Sequence, residues 1–488
     1  MIFNSVTYLL FLTLTVALCW LLPYKPRVWL ILIASALFYA FWRPEFLLVM
    51  LLSTTVDYVA ALHMDETDSS LKRNLWLATS LTVNLGLLCY FKYLFFFVDN
   101  AVAAMHFFGM NVKMPVLNIM LPLGISFYTF ETISYVVDVY RKLIKPERSW
   151  VMYGCFVTFF PKLIAGPVLR AREMLPQFAF KPIFRLPLFV SGLKRILFGL
   201  FLKVVLADNL APLVDAGFAQ KVSSLSAIDV LTLAFLFGFQ IYFDFSAYSS
   251  IAIGSARLMG MHIPENFNFP YIARTPKEFW KRWHISLSSW IRDYLYLPLL
   301  GVKVQDRSVG GIGSAIDVAE RNQSVRHPLF ALLMTWAIMG FWHGANWTFM
   351  IWGLCHAILI TVHRLLSPVT HKLPIVFREW GGWLFTLPCV MLAWIPFRAQ
   401  SVHDAVSMFG KLLSPGEYLW LGMRENTYLI TALICLSFFA TYGVYRYVRD
   451  FLEKRVPLFI LEVIPASVAS AFVFIFFRPI NQFIYFQF

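Results

Sequence analysis

The chain has 488 residues, is 59% hydrophobic and 18% aromatic, and is only 14% charged, where an ordinary soluble domain is about 25% charged. That balance excludes a soluble globular protein, and the six cysteines (Cys19, Cys89, Cys155, Cys355, Cys389, Cys435), scattered through apolar runs with no C-x-x-C pair, exclude a disulfide framework. A formal charge of +14 would suit nucleic acid on a polar domain; here no such domain exists, so the cations read as the basic cytoplasmic loops of a membrane protein and no nucleic-acid partner is expected.

The first apolar run, "VTYLLFLTLTVALCWLLP" (Val6–Pro23), has no Lys or Arg before it and no small-x-small cleavage site after it. It reads as a retained first helix rather than a signal peptide. Further candidate spans follow at about 28–42, 45–62, 75–97, 117–140, 188–207 and 227–255, two passages within 329–363, then 381–397, 428–447 and 457–478. The stretch 150–168 is short and ends in "FPKLIAGP", which suits a segment that dips in and returns. No linker, low-complexity tract or internal repeat divides the chain, so residues 1–488 read as a single membrane-embedded domain. The fold class expected is an all-α polytopic membrane protein with about ten to twelve transmembrane helices plus re-entrant or interfacial ones.

Lys25 and Arg27, then Lys72 and Arg73, then Arg141, Lys142, Lys145 and Arg148 form alternating basic loops, and the loops between them are poor in cations. With 150–168 re-entrant, this pattern puts the N-terminus outside and leaves 169–187 and 256–327 in the cytoplasm. In "YIARTPKEFWKRWHISLSSWIRDYLYLPLLG" (Tyr271–Gly301) aromatic rings alternate with Lys277, Lys281, Arg282 and Arg292. No part of it can span alone; short interfacial or re-entrant helices closing a cytoplasmic funnel are expected.

Two histidines stand where polar groups are expensive. His343 lies in "MGFWHGANWTFMIWG" between Gly340 and Gly344, with Asn346 a turn away. A core histidine bonded to a carbonyl is the plain alternative, but ionisable groups at membrane depth usually line a pathway or cavity. His284, in "FWKRWHISLS", is the second. The two are 59 positions apart with no H-E-x-x-H or Cys/Glu pattern, so no metal is expected. Acid–base work suits them, because neutral imidazole accepts a proton near pH 7. Asp244 is expected to pair with a cation or cap a turn, Asn266 to form a turn, and Asp293 to pair with Arg292. His356 and His363, seven residues apart, read as packing or interfacial residues.

Four stretches together, "FWKRWHISLSSWIRDYLYLPL", "FWHGANWTFMIWG", "LIAGPVLRAREMLPQF" and "YFDFSAYSSIAIGSARLMGMHIPENFNFPY", resemble the membrane-bound O-acyltransferase (MBOAT) family. The resemblance runs from about Leu121 to Ala405 and points to the bacterial branch that serves alginate and cellulose acetylation and D-alanyl transfer. It implies helices around a central tunnel, His343 as the general base of acyl transfer from a thioester to a hydroxyl, and His284 assisting. Nothing resembles a G-x-S-x-G nucleophile elbow, so no covalent intermediate is expected.

On this resemblance the donor is acetyl-CoA, met on the cytoplasmic side by Arg170 and Arg172 and by Lys281 and Arg282, where Arg suits bidentate phosphate contact and a positive-inside anchor is the alternative. The expected role is an inner-membrane O-acetyltransferase component for a secreted exopolysaccharide, alginate or cellulose, working with a periplasmic acetyltransferase and the polysaccharide synthesis machinery. A proton-coupled transporter or channel using the same histidines is the alternative, although no inverted repeat is visible. The stretch "LPLLGVKVQDRSVGGIGSAIDVAERNQSVRHP" departs from the alginate pattern and leaves the acceptor open.

Overall fold

The computed structural model describes residues 1, 3–114, 119–302 and 327–477. Most of the departing stretch, 303–326, therefore lies outside the described residues. The described residues are helical, with no strand among them. Among the described residues, eight helices are long and apolar enough to cross a membrane, and two shorter apolar helices, Val6–Leu21 and Pro328–His343, accompany them. The count expected from the sequence is reached by including the shorter ones, because a short apolar helix is accommodated by local thinning of the bilayer at modest cost. The protein is thus a multi-pass membrane protein of all-α architecture.

Helix ends follow local chemistry. Ser5 caps Val6–Leu21 through Tyr8 N–H at 3.1 Å, and Pro23 and Pro44 stand at helix starts, where a missing N–H loses nothing. The expected span 75–97 is longer in the structure. Ser70–Phe107 runs on for 38 residues through a π-helical turn at Cys89–Tyr93, since the first Gly or Pro after Leu88 is Gly109, just past its end. The segment after Ser149 breaks into Trp150–Thr158 and Phe160–Leu163, too short to cross, as the re-entrant reading expected.

The chain groups into two compact units, Met1–Ile196 with Tyr248–Pro264, and Leu197–Ala247 with Glu265–Phe488. In the first unit, Glu131 and Lys162 form an ion pair, both nearly sealed from solvent. The Glu131 carboxylate also accepts the Leu169 N–H at 2.9 Å, which fixes the turn after Gly166-Pro167. In the second unit, Lys203 bridges Asp244 at 2.6 Å and Asp208 at 2.8 Å, so Asp244 pairs with a cation as expected.

Candidate active site

The site is built on a helical hairpin in the second unit. Pro328–His343 ends at His343, Gly344 is extended (φ −157°), and Asn346 opens Trp347–Thr370 by accepting the Thr348 N–H at 3.1 Å. Asn346, the polar neighbour picked out in the sequence, is therefore a helix cap. The glycines admit backbone. A Cβ on Gly340 would sit 2.3 Å from the Phe349 carbonyl oxygen, and one on Gly353 would sit 2.1 Å from that of Trp336. These two positions let the helices touch, which sets His343 at the hairpin tip.

Rings close around it. His343 is 3% exposed, with ring centroids 4.9 Å from Trp342, 4.8 Å from Trp352 and 5.4 Å from Phe397. His284 is fully buried and begins the short helix Ile285–Ile291 from a left-handed backbone, φ +41°. A non-glycine residue pays for that conformation, and such strain gathers at functional sites. Its ring packs edge-on to Phe245 at 4.6 Å.

Asn266 is more than a turn former. Its Oδ1 accepts from Ser286 Oγ at 2.8 Å and Ser286 N–H at 3.3 Å, and stands 3.1 Å from His284 Nδ1. A backbone N–H can only donate, so the amide oxygen is correctly placed and His284 Nδ1 carries the proton. That tautomer leaves Nε2 as a proton acceptor. Burial pushes the imidazole down to about 3, so it stays neutral through the physiological range. We expect Asn266→Ala to cut activity about tenfold or more, with membrane accumulation near wild type, because a lost buried hydrogen bond frees the tautomer. Acetyl transfer measured per milligram of membrane-inserted protein checks this, and unchanged activity would mean that the amide plays no part.

The segment Tyr271–Gly301 forms short helices as expected, Pro276–Arg282 and Ile285–Ile291 among them. Phe279, Trp280, Trp283, Leu287 and Ile291 are buried, while Lys281 is exposed and Arg282 half-buried. The two histidines are linked by rings: Trp352 touches His343 and stacks on Trp394 at 5.7 Å, and Trp394 meets Trp283, next to His284, at 4.9 Å. The two open pockets described lie in the first unit and are lined by neither histidine.

His356, read from the sequence as a packing or interfacial residue, packs into the same cluster of rings. It is fully buried, stacks on Trp336 at 5.4 Å and shares Trp352 with His343. Trp280 Nε1–H donates to its Nδ1 at 3.3 Å. Indole is only a donor, so the proton of His356 sits on Nε2, where it meets no acceptor among the described residues. The signal available in the sequence was its spacing, 13 residues after His343 on the following helix.

The cation candidates divide. Arg282 donates to Glu278 through Nε and Nη2, both at 2.8 Å, and to the Asn268 carbonyl at 3.1 Å, so its fork is committed within the protein. Lys281 remains exposed beside it. Arg170, 6% exposed, precedes helix Ala171–Phe178, and Arg172 lies 3.6 Å from Glu173 in the same first unit. Asp293 pairs with Arg292 at 2.5 Å, as expected.

The sequence pattern of the membrane-bound O-acyltransferase family matches residues 147–309, which include His284. A probable alginate O-acetylase of Azotobacter vinelandii is 38% identical over 91% of this chain and 85% of its own length. That of Pseudomonas putida is 37% identical over 92% and 89%. The chain belongs to the membrane-bound O-acyltransferase family. A peptidoglycan O-acetyltransferase of Helicobacter pylori is 37% identical over 79% of this chain and 73% of its own, an acceptor class that the sequence reading had not weighed. This family member is a membrane O-acyltransferase, and acyl transfer takes the place of the transporter alternative.

Proposed function

We propose that this acyltransferase moves acetyl groups from cytoplasmic acetyl-CoA across the bacterial inner membrane for O-acetylation of a secreted or wall polysaccharide. Its N-terminus would be periplasmic and a soluble periplasmic acetyltransferase its partner. The observation that carries the reading is the buried, ring-walled imidazole at the hairpin tip, in a chain whose near-full-length relatives are named O-acetylases. Alginate is the favoured polymer on those names and a wall glycan the next; none of the three relatives above is named for cellulose.

In this reading His343 takes the proton of the attacking hydroxyl. The oxygen forms a bond to the thioester carbonyl carbon, the carbon–sulfur bond breaks, and the thiolate leaves with the proton that His343 held. No covalent enzyme intermediate is needed. His284, neutral and anchored by Asn266, assists by accepting or orienting a proton through Nε2. Arg170, Arg172 and Lys281 would meet donor phosphates, with Arg282 contributing only if it leaves Glu278.

Sealed vesicles test donor and orientation together. With carbon-14 acetyl-CoA outside and the polysaccharide and periplasmic partner inside, inverted inner-membrane vesicles should label the polymer and right-side-out vesicles should not. Labelling from right-side-out vesicles would overturn the orientation, and none from inverted vesicles would overturn the donor.

A further inference from the structure

One end of the first unit carries a built pocket that the acyl-transfer chemistry does not use. It encloses about 380 Å³ and is lined by Trp20, Lys181, Ile183, Arg185 and Arg257 among others, with no carboxylate in its wall. The frame is specific. Arg27, buried, donates to the Met259 carbonyl at 2.9 Å and the Phe180 carbonyl at 3.3 Å, tying both chain segments together. Trp20 Nε1–H donates to the Leu258 carbonyl at 2.8 Å, and Lys181 Nζ to that of Trp20 at 2.9 Å. Gly260 has φ +74°, and a Cβ there would meet Pro182 at 2.6 Å, so only glycine passes between these walls.

The rim says what environment the pocket faces. Phe180 is 60% exposed, Ile183 80% and Leu186 62%, and Leu186 begins a candidate membrane span. Lys181 and Arg185 are exposed among them. Apolar side chains that water would penalise, interleaved with cations at the end of a span, belong where acyl chains meet headgroups. The walls come from three segments that the cation distribution assigns to the same side: the last turn of Val6–Leu21, residues 180–189, and the end of Ala227–Leu258 with Gly260 just after it.

We propose that this pocket holds the phosphate of an anionic phospholipid headgroup, with its acyl chains against Phe180, Ile183 and Leu188. Guanidinium and ammonium groups supply donors to phosphate oxygens, and a basic pocket between helix ends on the cytoplasmic side is a recognised form of headgroup site. The proposal goes beyond acyl transfer and stands whether or not the donor assignment holds.

The test uses the full-length protein in a neutral detergent, with the thermal unfolding midpoint read after adding phosphatidylglycerol, phosphatidylcholine or inorganic phosphate. Phosphatidylglycerol should raise the midpoint of the wild type, and the other two should not. Arg185→Gln, at an exposed position outside that frame, should keep the lipid-free midpoint and need about fivefold more phosphatidylglycerol for the same rise. Equal stabilisation by phosphatidylcholine, an equal rise with inorganic phosphate, or an unchanged response of Arg185→Gln would each overturn the proposal.

Discussion

His343→Ala should reduce acetylation of the polymer by about 10²–10⁴-fold, the usual contribution of a positioned general base, while the protein still accumulates in the membrane. The geometry separates the two effects. The hairpin is held by Gly340 and Gly353 against opposing backbone, and the imidazole sits beyond that contact, at the last residue of its helix. Truncation leaves a gap among Trp342, Trp352 and Phe397, which weakens packing, so His343→Gln serves as the variant of similar volume. Acetyl ester content of the secreted polymer, normalised to membrane-inserted protein, is the measurement. Wild-type content in either well-inserted variant would remove His343 from the chemistry.

Lys203→Met should remove most of the protein from the membrane. Lys203 is 2% exposed and its two carboxylate partners, Asp244 and Asp208, are 3% and 18% exposed at the side chain. Removing the cation strands Asp244 as a buried charge, a loss of about 3–5 kcal/mol against a total stability of only about 5–15 kcal/mol. Combining Lys203→Met with Asp244→Asn removes both charges and should restore much of the accumulation, since a neutral amide is far cheaper to bury. Asp208, more exposed, can reach water and needs no matching change. Quantitative immunoblots of membrane fractions, with unfolding midpoints of the purified variants, decide the matter. If the single variant accumulated like wild type, the ion pair would carry no structural weight.

The relation between sequence and structure differs from element to element. The paired passages within 329–363 were legible because glycine and asparagine interrupt an otherwise continuous apolar run, and those residues form the hairpin's tip and cap. The pairing of Asp244 was legible as a type: a carboxylate in an apolar run demands a cation. Its partner was not, because Lys203 lies 41 positions earlier on a different stretch. Asn266 looked like a turn former because its local sequence, "PENFNFPY", has turn composition, and only the fold brings Ser286 and His284 onto its side chain.

The sequence by itself determined the membrane-spanning all-α class, the short helices of 271–301 and the family, because each depends on composition, hydropathy period and short motifs that any segment carries locally. Only the tertiary structure decided which imidazole nitrogens hold protons, that His356 shares Trp352 with His343, and that cations from distant segments line one pocket. Those depend on side chains far apart in the chain meeting where water is excluded, and there a single donor or acceptor fixes the chemistry of its neighbour.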